Sequence, residues 1–184
     1  MIELQENDLV FAKVRPDPII PTKDNENAGY DIYANFQEDY LIIPSHETIL
    51  IPTGIASAVS DKYYLQVHER GSTGSKGIKY SAGVIDSSYR GEIFIVLTNT
   101  NNVEVVISKL TESDYTYENE IGQLVTKRFG DFDYNTAIIY PYTKAIAQLV
   151  VHEVPKMNVK EISYNDLKKI PSKRGSGSLG SSGK

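Results

Sequence analysis

The sequence predicts an all-β fold, arranged as a sandwich, a jelly roll or a barrel. Short apolar runs recur along the 184 residues with turn residues between them. No long segment has the 3.6-residue apolar period of an amphipathic helix. Thirteen tyrosines accompany many isoleucines and valines, and these residue types favour strands. Because no helices are predicted between the strands, a parallel β-α-β sheet does not fit the pattern.

The predicted strands follow the apolar runs. Tyr63–His68 alternates, as a half-buried strand does, whereas Ile93–Leu97 is continuously apolar, which is typical of a fully buried strand. The other predicted strands are Leu9–Val14, Tyr40–Pro44, Thr48–Gly54, Val103–Ile107 and Ile146–Val151. One short helix is predicted over Ser163–Ile170, with Ser163 as its N-cap.

Composition limits the classes of function. The net charge of −5 and a pI of about 5.2 argue against a basic face for nucleic acid or anionic membranes. The chain has no cysteine, which excludes disulfides. It also has no apolar run near the roughly 18 residues of a membrane span. We therefore expect a cytoplasmic protein (in the host cytoplasm if it is phage-encoded) that binds neither nucleic acid nor membranes.

Two stretches differ from the rest of the chain. Residues 101–143 are long and polar, and the tail from Pro171 is rich in Ser, Gly and basic residues. The tail has one apolar residue, Leu179, and so cannot bury enough surface to become ordered by itself. The sequence predicts one β domain over residues 1–170, with an insert at about 101–143, and a flexible arm over residues 171–184.

The stretch Ala82–Glu92 predicts a tight β-hairpin whose turn carries Asp86 and Tyr89. A carboxylate three residues before a tyrosine places a base beside a flat ring. Such a turn suits a small ring-bearing ligand with an activated water next to it. The plainer interpretation is a hairpin with a surface acid and a packing tyrosine.

A Gly- and Ser-rich loop, Glu69–Gly77, has the chemistry of a phosphate site. It offers free backbone N–H groups, the hydroxyl of Ser72 and the guanidinium of Arg70. Its spacing and the absence of a predicted following helix exclude a P-loop. A flexible turn is the plainer interpretation of this loop.

Five stretches in order resemble the five motifs of the trimeric dUTPase family, enzymes that hydrolyse dUTP to dUMP and pyrophosphate. They are Asn27–Ala34, Glu69–Gly77, Ala82–Glu92, Lys144–Val150 and Arg174–Gly183. The resemblance implies a jelly-roll-like β-barrel of the dUTPase, or β-clip, type, with a C-terminal arm that closes over the active site. It implies a homotrimeric dUTP diphosphatase that keeps uracil out of DNA and supplies dUMP for thymidylate synthesis.

The resemblance also implies roles for the hairpin residues. Asp86 corresponds to the general base that activates the attacking water. Tyr89 corresponds to the tyrosine that packs under the deoxyribose and excludes a 2′-hydroxyl. The backbone at Gly83, Val84 and Ile85 corresponds to the part that reads the uracil edge.

The phosphate-binding residues implied by the family motifs are Arg70, Gly71, Ser72 and Gln148. Asp31 corresponds to the aspartate near the waters of the bound Mg²⁺, the implied cofactor. In the trimer, Asp86 and Tyr89 of one chain would face Arg70 and Gln148 of another.

The arm residues implied by the fifth motif are Arg174, for the terminal phosphate, and Leu179, Gly180 and Ser181, which would cover the base. The chain departs from the family motifs at four positions. The departures are Gly71 in the place of a serine, Ala145 in the place of an arginine, Ser178 in the place of a glycine and Leu179 in the place of a phenylalanine. Because leucine has no aromatic ring, stacking on uracil is lost at Leu179.

Three alternatives differ from hydrolysis. The related dCTP deaminases share the fold, but their catalytic glutamate aligns with Val96 here, so deamination does not fit. A dUTP-binding regulatory protein would act on a protein partner through residues 101–143. Enlarged segments at this place are familiar in phage-type dUTPases. A jelly-roll binding domain without chemistry is the third alternative.

Overall fold

The computed structural model describes residues 3–110, 115–118, 124–129, 132–133, 136–173 and 175. Within this part the chain forms fifteen strands and two short helices, and the prediction of an all-β, jelly-roll-like fold is confirmed. Two units can be distinguished, Met1–Val154 and Pro155–Lys184. The predicted boundary after residue 170 stays a prediction. None of the helices among the described residues has the length and apolar character needed to cross a membrane.

The strands are short and follow one another with few helical residues between them. In chain order they are β1 (Leu9–Lys13), β2 (Gly29–Ile32), β3 (Tyr40–Ile43), β4 (Thr48–Pro52), β5 (Ile55–Val59), β6 (Tyr63–His68), β7 (Ile78–Tyr80), β8 (Val84–Ile85), β9 (Phe94–Asn99), β10 (Glu104–Ser108), β11 (Tyr115–Glu118), β12 (Leu124–Phe129), β13 (Phe132–Asp133), β14 (Ala137–Pro141) and β15 (Ala147–Glu153). The helices are α1 (Gly71–Gly74) and α2 (Tyr164–Lys169).

Two sheets position the residues of interest. One has the strand order β2-β15-β6-β8 and the other has the order β4-β9-β7. The remaining sheets in the described part are β1-β5, β14-β10-β3 and β11-β12-β13. Strand β14 runs parallel to β10, whereas the pairs in the first two sheets are antiparallel.

The core is formed by the inward side chains of alternating strand residues. In β6, Leu65 and Val67 are buried, and in β15 Leu149 is buried. This confirms the alternation predicted for Tyr63–His68. The core also contains other fully buried side chains, which are Ile32, Ile43, Ile51, Ile55, Ile93, Ile95, Leu97, Ile107, Tyr140 and Ile146. Each such aliphatic side chain contributes about 1.5–3 kcal/mol relative to an exposed one.

The prediction of a fully buried strand over Ile93–Leu97 is wrong. Ile95 and Leu97 are buried, but Phe94 is 38% exposed and Val96 is half-buried. The strand therefore has one core face and one outer face, although both faces are apolar. Its apolar outer face lines a pocket, described below, which explains why the sequence shows no alternation.

The predicted hairpin over Ala82–Glu92 also needs correction. Its two strands do not pair with each other, because β8 pairs with β6 while β9 pairs with β4 and β7. Antiparallel pairing across this part of the chain occurs further from the turn, where Ile78–Tyr80 of β7 pairs with Leu97–Asn99 of β9. The turn that carries Asp86 therefore leads from one sheet to the other, at the opening between them.

The polar segment 101–143 contains more regular structure than a long loop. Strands β11, β12 and β13 form an antiparallel sheet within it, and β14 closes it. The sequence analysis did not predict β11, β12 and β13, which are largely polar or very short, and it passed over the apolar run of β14. The sequence analysis did not predict strands β5 and β7 either. Helix α2 is confirmed, and the Ser163 side chain accepts a hydrogen bond from the N–H of Asp166, as predicted for its cap.

Candidate active site

One cluster of predicted residues is assembled by strand register. In the sheet β2-β15-β6-β8, Asp31 lies opposite Gln148, and Gln148 lies opposite His68. Strand β6 ends at His68, so Arg70 follows within two residues. The register thus brings Asp31, Arg70 and Gln148 to one end of the sheet.

The guanidinium of Arg70 is held at three nitrogen atoms. Its Nε lies 3.1 Å from Oδ1 of Asp31, and Nη2 donates to Oδ2 at 3.2 Å. Its Nη1 donates to the carbonyl oxygen of Ala145 at 3.1 Å. The side chains of Arg70 and Asp31 remain 32% and 34% exposed. This bidentate geometry orients the fork and still leaves it accessible to an anion.

The short helix α1 fixes the backbone beyond Arg70. The buried Thr73 hydroxyl accepts from the N–H of Arg70 at 3.2 Å and donates to its carbonyl oxygen at 3.0 Å. The N–H groups of Gly71 and Ser72 have no acceptor among the described residues. A helical turn is therefore present where none was predicted, although the P-loop spacing is still absent.

The amide of Gln148 is tethered beside this helix. Its Nε2 donates to the carbonyl oxygen of Glu69 at 2.8 Å, which leaves one N–H and the amide oxygen available. Gly29 makes room for it, since a methyl group at Gly29 would lie 2.4 Å from Oε1 of Gln148. The glycine of the first motif is thus required by close packing against the fourth.

These residues form a polar cavity of about 390 Å³, which we call the phosphate cradle. Its lining residues are Asn27, Ala28, Gly29, Asp31, Arg70, Gly71, Ser72 and Gln148. All five cradle residues predicted from the motifs are therefore brought together. The sequence did not predict Asn27, Ala28 and Gly29 as lining residues, although they lie in the first motif.

The second cavity, of about 260 Å³, lies beside the turn between β8 and β9, and we call it the hairpin pocket. Its lining residues are Val67, Ala82, Gly83, Val84, Ile85, Asp86, Tyr89, Glu92, Ile93, Phe94 and Val96. It contains every hairpin residue predicted from the third motif. It also contains Phe94 and Val96, which a period of two along β9 would have identified.

The backbone of the hairpin pocket is fixed to β6. The carbonyl oxygen of Gly83 accepts from the N–H of Val67 at 2.8 Å. A methyl group at Gly83 would lie 3.0 Å from the carbonyl oxygen of Val67, so the approach suits glycine. The backbone next to Val84, whose side chain is 64% exposed, lies at the edge of this sheet. An edge strand offers N–H and C=O groups to a ligand.

Tyr89 is held in the turn by three contacts. Its hydroxyl donates to the carbonyl oxygen of Glu92 at 2.8 Å. Its ring lies over Gly91, where a methyl group would come within 2.5 Å of the hydroxyl oxygen. The N–H of Tyr89 donates to the carbonyl oxygen of Asp86 at 3.0 Å. The distance between base and ring is therefore set by one tight turn.

The two carboxylates of the hairpin pocket differ in their partners. Glu92 accepts from Nε of Arg15 at 2.8 Å and from the N–H of Gly54 at 2.9 Å, and it is 13% exposed. The Asp86 carboxylate is exposed and has no hydrogen-bond or ion-pair partner in the described part of the chain. Asp86 is thus the carboxylate in this pocket that is available to accept a proton.

The cradle and the hairpin pocket share no lining residue. The structure therefore brings the predicted site residues of one chain into two separate groups. Arg174, Leu179, Gly180 and Ser181 lie outside the described residues, so their predicted roles stay predictions.

A cation would find few protein ligands here. Among the described residues, no group of three or more His, Asp or Glu side chains could hold a metal ion by itself. Asp31 places one partly exposed carboxylate on the cradle. One carboxylate with phosphate oxygens and waters is an environment that suits Mg²⁺, so the cradle fits this ion.

Comparisons with known proteins identify the family of this chain. The dUTPase family model matches residues 15–129. The deoxyuridine 5′-triphosphate nucleotidohydrolase of Candida albicans is 32% identical over 167 residues, covering 90% of this chain and 81% of that protein.

Two solved structures share the fold. A Staphylococcus bacteriophage 80alpha dUTPase with dUPNHPP, described as controlling transfer of virulence genes, has a TM-score of 0.69 and 21% identity, covering 95% of this chain and 98% of its own. A variant dUTPase of S. aureus phage phi11, described as coordinating a structural Mg(II) ion, has a TM-score of 0.62 and 21% identity, covering 85% and 97%. The chain therefore belongs to the dUTPase family, whose members are dUTP diphosphatases.

Proposed function

We propose that the chain hydrolyses dUTP to dUMP and pyrophosphate at sites that two copies of the chain complete together. The observation that carries this proposal is the free carboxylate of Asp86 at the mouth of the hairpin pocket, apart from the phosphate cradle. A hairpin pocket from one copy and a cradle from another would supply both halves of each site. A homotrimer, as the family resemblance implies, would hold three such sites.

In this proposal Asp86 acts as the general base. It accepts a proton from a water whose oxygen attacks the α-phosphorus, and a new P–O bond forms. The bond from the α-phosphorus to the bridging oxygen breaks, and pyrophosphate leaves with its electron pair. A base with an exposed, unpaired carboxylate can reach that water without first breaking a salt bridge.

The cradle would bind the triphosphate. Arg70 offers the fork that Asp31 and Ala145 hold in place, and Gly71 and Ser72 offer N–H groups. Gln148 retains one amide N–H for a phosphate oxygen. Bound Mg²⁺, with Asp31 reaching it through water, would supply charge neutralisation of the triphosphate. Fixed donors and charges of this kind carry most of the catalysis in phosphoryl transfer.

The hairpin pocket would select the nucleoside. Backbone groups at Gly83, Val84 and Ile85 would pair with the uracil edge, and a cytosine edge would leave them unpaired. The Tyr89 ring, fixed over Gly91, would leave no room for a 2′-hydroxyl. Val96 lines the same pocket and carries no carboxylate, so the pocket lacks the base that a deaminase needs there.

The arm over residues 171–184 would complete the site with Arg174 on the terminal phosphate and with Leu179, Gly180 and Ser181 over the base. Ending the chain at Ile170 is expected to reduce turnover severely and to leave the oligomer folded, because the proposed role of these residues is to contact the bound ligand. Size-exclusion chromatography with light scattering controls for assembly. An undiminished rate would show that the arm has no part in the reaction.

A second candidate function is regulation of a protein partner through residues 101–143. It is favoured by the extra sheet β11-β12-β13 in that segment and by the role described for the 80alpha phage dUTPase. In this alternative, dUTP binding would control the partner and turnover would be secondary.

The experiment that tests the proposal is pyrophosphate release from dUTP, dCTP, dTTP and UTP, each with Mg²⁺ and again with excess EDTA. We expect release from dUTP alone, and a loss of that release with EDTA. Binding of dUTP without release would contradict the proposed reaction and favour the regulatory alternative. The expected cytoplasmic location can be tested separately by cell fractionation.

A further inference from the structure

A buried tyrosine outside both cavities contacts the carbonyl group that holds Arg70. Tyr140, in β14, is 1% exposed. Its hydroxyl donates to the carbonyl oxygen of Ala145 at 2.6 Å. The same oxygen accepts from Nη1 of Arg70 at 3.1 Å. Tyr140 is thus one carbonyl group away from the guanidinium of the phosphate cradle.

One carbonyl oxygen can accept both bonds, because it has two lone pairs. The bond from Tyr140 fixes the direction of the Ala145 carbonyl in the connection between β14 and β15. That carbonyl fixes one end of the Arg70 fork, and Asp31 fixes the other. A fork held at both ends loses less freedom when it binds a phosphate.

The surroundings of Tyr140 support the same role. The neighbouring carbonyl oxygen, that of Ile146, accepts from the hydroxyl of Tyr80. A tyrosine hydroxyl is a donor at neutral pH, and burial raises the pKa of Tyr80 further above its usual range. On the other side, Nζ of Lys76 lies 5.6 Å from the centre of the Tyr140 ring. Two tyrosines therefore anchor consecutive carbonyls just before β15 and Gln148.

We propose that Tyr140 is a positioning residue for Arg70, an inference that rests on the proposed role of the cradle in triphosphate binding. Ala145 stands where the family motif has an arginine, so the orientation of Arg70 carries more of the phosphate binding. Strand β14 closes the segment 101–143, and Tyr140 thereby connects that segment to the cradle through a single carbonyl group.

The test uses Tyr140→Phe, which removes the hydroxyl and keeps the ring in the core. We expect the KM for dUTP and the Kd for inorganic tripolyphosphate to rise by about 3–10-fold, with kcat changed by less than about twofold. The matched control is Tyr142→Phe. Its ring packs edge-on against Phe36 at 5.1 Å, and it has no hydrogen-bond partner in common with Arg70 among the described residues, so both constants should stay unchanged. Thermal unfolding compares the stability of the two variants.

A double-mutant cycle separates positioning from general stabilisation. In an Arg70→Lys background, Tyr140→Phe should leave the tripolyphosphate Kd unchanged, because lysine has no fork to be oriented. If Tyr140→Phe raised the tripolyphosphate Kd by the same factor in the wild-type and Arg70→Lys backgrounds, the inference would be overturned. An unchanged Kd for Tyr140→Phe in the wild-type background would also overturn it. Wild-type protein that binds tripolyphosphate without hydrolysing dUTP would contradict the proposed function only. Wild-type protein that does not bind tripolyphosphate would contradict both.

Discussion

The phosphate cradle and the hairpin pocket are built in opposite ways. In the cradle, the polar side chains already have partners. Arg70 bonds to Asp31 and to the carbonyl oxygen of Ala145, whereas Gln148 bonds to the carbonyl oxygen of Glu69. In the hairpin pocket, the backbone is fixed but the Asp86 carboxylate has no partner in the described part of the chain. One region would bind an anion at groups that are already oriented, and the other would present the base in the proposed reaction.

The difference indicates how the chemistry is divided. A binding group works best when its orientation is fixed before the ligand arrives. A general base works best when its carboxylate is free to contact the attacking water. In the proposed site, Arg70 of one copy would bind the triphosphate and Asp86 of another would accept the proton, so binding and proton transfer would fall to different elements. The predictions below test each side of this division.

The largest effect is expected for Asp86→Asn. This change keeps the shape of the turn and removes the proton acceptor, so kcat should fall by about 10²–10⁴-fold while dUTP binding persists. Rates of pyrophosphate release and calorimetric binding of dUTP measure the two quantities. Ser88→Ala, in the same exposed turn, is the matched control. Near-normal turnover in Asp86→Asn would show that another group is the base.

Tyr89→Ala should weaken selection between sugars. Without the ring over Gly91, a 2′-hydroxyl meets no wall, so the ratio of kcat/KM for dUTP over UTP should fall by roughly 10–100-fold. Tyr89→Phe is the control, because it keeps the ring and removes only the hydroxyl bond to Glu92. If Tyr89→Ala left the dUTP preference unchanged, the ring would not be the element that rejects UTP.

Gly29→Ala should damage the cradle while the hairpin pocket remains intact. The added methyl group would lie 2.4 Å from Oε1 and 2.8 Å from Cβ of Gln148, so Gln148 must move. We expect KM for dUTP to rise about tenfold. Gly74→Ala is the matched control, since its nearest neighbour would be Cβ of Glu69 at 3.9 Å. Equal KM values for the two variants would contradict the role of Gln148.

The smallest effect is expected for Gly71→Ser, which restores the serine of the family motif. A side chain at this position would meet no atom within 4 Å, so the fold should tolerate it. One added hydrogen bond to phosphate should lower KM by about 2–10-fold. A steady-state titration with dUTP measures this change. An unchanged or higher KM would show that the backbone N–H groups already satisfy that phosphate.

Much of the fold could be predicted from local pattern. Tyr63–His68 alternates and becomes β6, and the Ser163 cap places α2 correctly, because both signals are contained within a few residues. Strands β11 to β13 escaped detection because their sequences are largely polar, although they pair with one another. Strand β14 is an apolar run that the assignment of a long polar segment passed over, and its parallel pairing with β10 joins residues more than thirty positions apart. The pairing of β8 with β6 was missed for the same reason.

The site shows the same limit. The motifs predicted which residues belong to the cradle and to the hairpin pocket, because residue type and spacing carry that information. They did not predict that Thr73 caps Arg70, that Gly29 makes room for Gln148, or that Tyr140 shares a carbonyl with Arg70. These contacts join residues separated by turns or by most of the chain, and only the packed fold defines them.

The central claim is that each site combines a hairpin pocket from one copy with a cradle from another. Mixing two variants tests it directly. Asp86→Asn and Arg70→Ala are each prepared inactive, unfolded together and refolded as a mixed oligomer. Random mixing pairs an intact hairpin with an intact cradle at about a quarter of the sites, so about a quarter of wild-type activity should return. If mixed oligomers form and no activity returns, each site lies within a single chain and the claim is wrong.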